Sequence, residues 1–210
     1  MSSNASLLLI TVVALILSAH AADPDITSDF IVPPGTTLNA DFFTFRGFRG
    51  SLMGKPREGS FLVTKASKVE FPALDGQSVS LAVLQFPPRG LNPPHTHPRS
   101  AELLMVLQGT LKVGFVDSNN KLYTQLLYKG DVFVFPKGLV HFQANVDLTY
   151  PAVAISAFGS ANAGTVSLPK TLFGSGIYQW FGSGIHQWIL AQSFKTDVGT
   201  TKKLVAANSA

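Results

Sequence analysis

Residues 90–107 read GLNPPHTHPRSAELLMVL, and a second segment, residues 130–141, reads GDVFVFPKGLVH. Each segment joins prolines and glycines to a short run of apolar, β-branched or aromatic residues. Such runs, bounded by turn residues, are typical of short β-strands. The two segments predict an all-β fold and, through their histidines, a site inside it.

Two histidines in the first segment, His95 and His97, are separated by one residue. On an extended backbone alternate side chains project from the same face, so both imidazoles can reach one ion. An exposed or hydrogen-bonded pair is the alternative interpretation of a His-x-His pattern. A metal site therefore needs further donors.

Glu102 and His141 are the further donors. Glu102 lies five residues after His97, and a turn at residues 98–100, which Pro98 favours, returns its carboxylate to the histidines. The apolar run that follows indicates a buried strand, and a buried carboxylate requires a cation, whereas a solvent-facing glutamate would not. His141 follows a Pro-x-Gly turn that leads into a new strand. Taken alone, it could equally be a packed core histidine.

The rest of the chain predicts many short strands and few helices. Gln187 opens a helix-forming segment, 187–194, and a second one, 200–207, has Thr200 or Thr201 as its cap. Eight strands suggest a jelly roll of two sheets or a closed barrel, with the helices outside it. The predicted strands are 61–65, 79–86, 101–107, 110–116, 121–127, 131–135, 140–146 and 152–158.

Composition limits the class of protein. The 210 residues are 46% hydrophobic and 13% charged, which suits one domain with one buried core. The 16 basic and 12 acidic residues give a formal charge of +4 with no basic cluster, which argues against nucleic-acid binding. That charge could attract small anions or acidic polysaccharide. There is no cysteine, so no disulfide stabilises the chain.

The amino-terminal segment, residues 1–21, is predicted to be a secretory signal. Its apolar stretch, 7–17, precedes a small-x-small pattern, and cleavage after Ala21 would leave a mature chain starting at Ala22. Eleven apolar residues are too few for a membrane span, which needs about 20, so a retained anchor is the weaker alternative. We expect an arm over 22–60 whose four phenylalanines pack on the barrel, a barrel core over 61–160, and a connection with helices over 161–210.

A tandem duplication lies near the carboxyl end. FGSGIYQW, residues 173–180, is followed at once by FGSGIHQW, residues 181–188. An eight-residue unit is too short for a solenoid repeat, so we interpret it as a local insertion in a surface connection or an error in the gene sequence. His186, within it, is not expected to be a ligand.

The two segments together resemble the paired sequence motifs of the cupin superfamily. Their pattern is His95-x-His97-x4-Glu102-x6-Gly109, followed by Gly130-x5-Pro136-x-Gly138-x2-His141-x3-Asn145. The string NPPHTHPR with Ala101-Glu102, the early Asp23-Pro24-Asp25 and Lys129-Gly130-Asp131 are similar to those of plant germin-like proteins. This resemblance implies a jelly-roll barrel and Mn(II) on His95, His97, Glu102 and His141. It also implies secretion to the cell wall and hexamers built as trimers of dimers with the carboxyl-terminal helices at subunit contacts.

Three positions depart from the germin pattern. The usual amino-terminal cysteine pair is missing, with Ile31 at the first expected position, as in the branch of the family that lacks it. Arg89 replaces the first motif glycine. Ala82 stands where germins that oxidise oxalate have a second asparagine, so Asn92 alone remains to contact a small anion.

Three functions remain open. The first is dismutation of superoxide at a manganese site, with Asn92 or bound water handling protons. The second is a non-catalytic role, as a hexameric wall or storage protein or a binder of a small ligand, in which metal holds the fold together. The third is oxalate oxidation, which Ala82 disfavours.

Overall fold

The computed structural model describes residues 23–53, 60–174 and 185–208. Within them, ten antiparallel strands form two five-stranded sheets, in the orders β1-β2-β9-β4-β7 and β10-β3-β8-β5-β6. The strands are β1 Leu62–Ala66, β2 Ser80–Phe86, β3 Leu91–Thr96, β4 Glu102–Gln108, β5 Thr110–Val116, β6 Leu122–Tyr128, β7 Val132–Phe135, β8 Val140–Ala144, β9 Ala152–Phe158 and β10 Val166–Ser167. The predicted all-β jelly roll is confirmed.

The core lies between the two sheets, where strands such as β4 and β8 bury alternate residues and β2 is buried at nearly every position. On β4 the side chains of Leu104 and Val106 are buried while Leu103 and Met105 face outward. Opposite them, Leu111 and Val113 of β5 fill the same cluster. Each fully buried side chain of this kind stabilises the fold by about 1.5–3 kcal/mol. This packing fixes the distance between the sheets and so supports the donors that lie between them.

All eight predicted strands are present, and β3 and β10 are additional. No strand was predicted for β3 because it contains Pro93 and Pro94, which cannot donate to a sheet ladder. Its pairing with β8 skips both prolines: Asn92 lies opposite Gln143, and the next aligned pair is His95 with His141. An irregular register thus lets a proline-containing strand carry the site.

The two predicted carboxyl-terminal helices are present, with one correction at the start of the second, and a short helix within the amino-terminal arm was not predicted. They are α1 Phe48–Met53, α2 Gln187–Ser193 and α3 Val198–Asn208. Neither Thr200 nor Thr201 begins α3. Asp197 does, because its carboxylate accepts hydrogen bonds from the backbone N–H of Thr200 at 2.9 Å and from its hydroxyl at 2.7 Å. A carboxylate satisfies a free N–H group at a helix start and complements the helix dipole.

The amino-terminal arm packs partly as expected. Phe45 reaches Phe71 of the jelly roll, with ring centroids 5.6 Å apart. Phe42 and Phe43 instead pack on each other, and Phe43 also contacts Phe30 within the arm. The predicted signal segment and most of the duplicated octapeptide lie outside the described residues. None of the helices in the described ranges is long and apolar enough to cross a bilayer.

Candidate metal centre

Strand pairing brings two of the predicted donors together. His95 on β3 lies directly opposite His141 on β8, and their ring centroids are 4.1 Å apart. The Pro-x-Gly turn before β8 has Gly138 at φ +78°, a conformation that glycine adopts without steric cost. Both imidazoles come from the same sheet and point toward the other one.

A turn brings the remaining two donors to the same point. His97 lies just beyond the end of β3, and the chain turns at Pro98 and Arg99 before Glu102 begins β4 in the opposite sheet. This is the reversal that the spacing of His97 and Glu102 predicts. The carboxylate therefore faces the histidines across the interior of the jelly roll.

The four side chains form one buried cluster. One donor atom from each of His95, His97, Glu102 and His141 lies within 4.8 Å of the other three. Their exposed fractions are between 1% and 7%. Oε2 of Glu102 is 3.1 Å from Nε2 of His97 and 3.1 Å from Nε2 of His141. The sequence-predicted donors thus converge at one point.

The hydrogen bonds of the three Nδ1 atoms determine whether the Nε2 atoms are free to bind a metal ion. Nδ1 of His95 donates to the carbonyl of Pro93, Nδ1 of His141 to that of Leu139, and Nδ1 of His97 to that of Gly164. Because a carbonyl only accepts, each Nδ1 carries a proton, and a neutral ring then has a lone pair on Nε2. Each Nε2 atom points to the interior of the cluster.

This donor set fits a divalent metal ion. Two bare Nε2 atoms and a carboxylate oxygen at 3.1 Å would repel one another unless a cation or added protons lie between them. Three imidazoles and one carboxylate suit transition metals, and in an octahedral geometry they leave up to two open positions. His95, His97, Glu102 and His141 are the residues that would hold the ion.

Two buried side chains fix the free oxygen of Glu102. Ser156 donates its hydroxyl to Oε1 at 2.5 Å, and Gln143 donates its amide N–H to the same oxygen at 3.2 Å. Both residues are fully buried. With Oε1 occupied, only Oε2 is directed at the histidines. Sequence reasoning missed both residues, although each is a polar side chain in a strand otherwise dominated by apolar residues.

Asn92 lies beside the cluster, as its place in the motif suggests. Its Nδ2 donates to Oε1 of Gln143 at 2.7 Å and is 3.5 Å from Nε2 of His95. Because Gln143 in turn donates to Glu102, the amide of Asn92 is linked to the carboxylate through one side chain. Asn92 also lines the cavity next to the donors.

Burial and mutual contact shift the protonation of the cluster. Burial, with a smaller contribution from the charge of His141, lowers the pKa of His95 from 6.5 to about 4. Burial alone would raise the pKa of Glu102, but hydrogen bonds from His141 and His97, which form when protons rather than a cation lie on their Nε2 atoms, outweigh it and hold this pKa well below its usual range. At neutral pH His95 is therefore neutral and Glu102 ionised, which are the metal-binding forms.

A cavity of about 390 Å³ opens beside the donors. His95, His97 and Glu102 form part of its wall, and Ala82 and Phe158 contribute apolar surface. This volume exceeds the roughly 30 Å³ share of one water molecule, so a small anion has room next to a bound ion.

His186, at the start of α2, is exposed and is not part of the described donor cluster.

The two-sheet fold and its buried donor set define a cupin, and comparisons with known proteins agree. Residues 55–202 match the Cupin family. The chain is 55% identical over 214 residues to Germin-like protein 9-3 of Oryza sativa subsp. japonica, covering 96% of each chain. It is 44% identical over 213 residues to Germin-like protein subfamily 2 member 1 of Arabidopsis thaliana, covering 94% of this chain and 93% of the relative. The chain therefore belongs to the plant germin-like proteins of the cupin family.

A solved structure extends the comparison to the fold. Recombinant oxalate oxidase in complex with glycolate superposes with a TM-score of 0.76 at 32% identity, covering 89% of this chain and 98% of the other. The similarity thus spans nearly the whole of that protein.

Proposed function

We propose that the protein is a secreted manganese-binding germin-like protein that dismutates superoxide. The observation that carries this proposal is the convergence of three imidazoles and one carboxylate on one buried point beside a cavity. By ligand type alone such a set also accepts iron, nickel, copper or zinc. The preference for manganese comes from the resemblance to germins.

The chain's own residues would hold the ion and contact the substrate. A bound redox-active ion would provide electron exchange, by which one superoxide is oxidised to dioxygen and the next is reduced to hydrogen peroxide with uptake of two protons. The positive net charge of the chain favours capture of an anionic substrate. The amide of Asn92, on the cavity wall, offers N–H groups to such an anion. The apolar surface of Phe158 and Ala82 limits the water around it.

A metal analysis combined with a superoxide assay tests this proposal. We expect purified protein to contain manganese and to dismutate superoxide, and His95→Ala to lose both. His186→Asn is the matched control, because this exposed histidine is outside the cluster and asparagine can still accept the hydrogen bond from the backbone N–H of Trp188. Activity that survives removal of the metal would contradict the proposal.

Oxalate oxidation is the second candidate, because oxalate oxidase is a structural relative at 32% identity. Ala82 argues against it, since this buried residue lines the cavity where a second amide would be needed to hold a dicarboxylate. Hydrogen peroxide production from oxalate and dioxygen, in the absence of superoxide, would favour this activity over superoxide dismutation. No peroxide from the manganese-loaded protein would exclude it.

A non-catalytic role is the third candidate, because the donors come from both sheets and a metal would hold these together. In this case the protein would be a wall or storage protein, or would bind a small ligand in the cavity. A metal-free variant such as His95→Ala should then fail to be secreted or to assemble. Normal secretion and assembly of that variant would contradict a structural role for the metal.

Secretion and assembly belong to the same proposal. We expect the mature chain to start at Ala22, to reside in the cell wall, and to form a hexamer arranged as a trimer of dimers. Its basic charge could also bind acidic cell-wall polysaccharide. Amino-terminal sequencing of the secreted protein and its molar mass by light scattering check these expectations, and a monomer in solution would contradict the assembly.

A further inference from the structure

His97 is oriented differently from the other two histidines. The carbonyl groups that fix His95 and His141 belong to residues two positions earlier in the same chain segment. The carbonyl that fixes His97 belongs to Gly164, 67 residues away. His97 also lies beyond the last residue of β3, so sheet pairing does not hold its backbone. Its orientation therefore depends on the loop that carries Gly164.

That loop, residues 159–165, connects β9 to β10 and is held on one side by Arg99. The backbone N–H of Arg99 donates to the carbonyl of Ala163 at 3.2 Å, and its guanidinium donates to the carbonyl and the side-chain oxygen of Asn162. Gly164 has φ +69°, and a Cβ there would lie 2.6 Å from the guanidinium. The loop is thus closely packed between Arg99 and His97.

Asp23, at the start of the amino-terminal arm, holds the other side of the loop. Its carboxylate accepts a hydrogen bond from the hydroxyl of Ser160 at 2.7 Å and one from the backbone N–H of Ala161 at 2.6 Å. The Ser160 hydroxyl in turn accepts from the backbone N–H of Asn162 at 3.1 Å. Ser160 and Ala161 are both buried, so neither donor can turn to bulk water instead.

We infer that Asp23 is a positioning residue for the metal centre, acting through this loop on His97. The inference rests on the proposed metal site. Without the Asp23 carboxylate, a buried hydroxyl and a buried N–H lose their acceptor, and the loop must shift to satisfy them. A shift at Gly164 turns the imidazole of His97, which has no other backbone acceptor in the described residues. Outer hydrogen-bond partners of this kind orient metal ligands.

The test measures manganese release from full-length secreted protein into excess chelator. The variants are Asp23→Asn, which keeps one acceptor oxygen where the carboxylate uses two, and Ser160→Ala, which removes the hydrogen bonds to Asp23 and from the backbone N–H of Asn162 and keeps the sequence of the arm unchanged. Asp25→Asn is the matched control, since Asp25 is an exposed carboxylate on the same arm. We expect release to be about 3- to 10-fold faster in the first two variants and unchanged in the control, because outer partners change metal affinity by about 10- to 100-fold when they contact a ligand directly.

A second readout separates positioning from simple stabilisation. The melting temperature of each variant is measured with and without manganese, and we expect the increase caused by manganese to be smaller in Asp23→Asn and Ser160→Ala than in the wild type. An unchanged release rate, or an equal loss of melting temperature in both forms, would overturn the inference while leaving the metal site intact. Wild-type protein that binds no manganese would overturn the proposed function and this inference with it.

Discussion

Replacing Ser156 by alanine tests how the carboxylate of Glu102 is held. The Ser156 hydroxyl donates to Oε1 of Glu102 at 2.5 Å in a fully buried position. Hydrogen bonds to charged groups contribute about 1.5–3 kcal/mol, and Oε1 would retain only its bond from Gln143. We therefore expect the free energy of unfolding of the metal-free protein to fall by about 2 kcal/mol. With a typical urea dependence of about 2 kcal/mol per molar, the unfolding midpoint should fall by about 1 M.

The assay is urea unfolding at one fixed protein concentration, since any subunit association would contribute to apparent stability. Thr201→Val is the control because it removes another fully buried hydroxyl, which donates to a neutral carbonyl of α3 at 2.9 Å. We expect a smaller loss for the control, about 1 kcal/mol, and unchanged manganese affinity. Ser156→Ala should weaken manganese binding by about 10-fold or more. Equal losses in the two variants, with equal manganese affinity, would refute a specific role for Ser156.

Three further predictions concern pH and backbone strain. The pKa of His95 is about 4 in the folded protein and 6.5 in a free histidine, so the unfolded chain binds more protons between these pH values. The free energy of unfolding of the metal-free protein should therefore fall by about 3 kcal/mol as the pH falls from 6.5 to 4, as measured by urea unfolding. A free energy of unfolding that does not change with pH would contradict this prediction. Arg89 has φ +60°, so Arg89→Gly should raise the melting temperature by about 1–3 °C, and a decrease would show that its side chain stabilises the turn. Gly164→Ala should cost about 1–2 kcal/mol in urea unfolding, because the new Cβ is strained and meets Arg99; unchanged stability would mean that the loop moves freely.

The fold could largely be predicted from the sequence because its strands are short apolar runs between glycines and prolines. All eight predicted strands are found to within two residues of their predicted ends. Of the two strands that were not predicted, β3 shows why local sequence is insufficient. Pro93 and Pro94 mark a break in any local pattern, and only the pairing of the flanking residues with β8 makes the segment a strand. Tertiary pairing that skips two residues leaves no local signal.

The donors could also be predicted, whereas the groups that orient them could not. The spacing of His95 and His97 and the turn before Glu102 are local properties of the chain. The partners of Glu102 and His97 come from β9, β8 and the loop after β9, at least 41 residues away from the residue they contact. The contact to His97 is made by a backbone carbonyl, which every residue possesses. No side-chain pattern can identify such a group.

The origin of the donors has a consequence for how long the folded protein persists in different surroundings. His95 and His141 belong to one sheet and Glu102 to the other, so an ion on these atoms is a cross-link between two layers of a chain that has no cysteine. A disulfide would do this as long as no reductant is present, whereas a metal cross-link persists only while its ligands stay deprotonated and no chelator competes. Resistance to heat and proteases should therefore follow metal supply and acidity in the surroundings, and the same chain could be durable in one medium and short-lived in another.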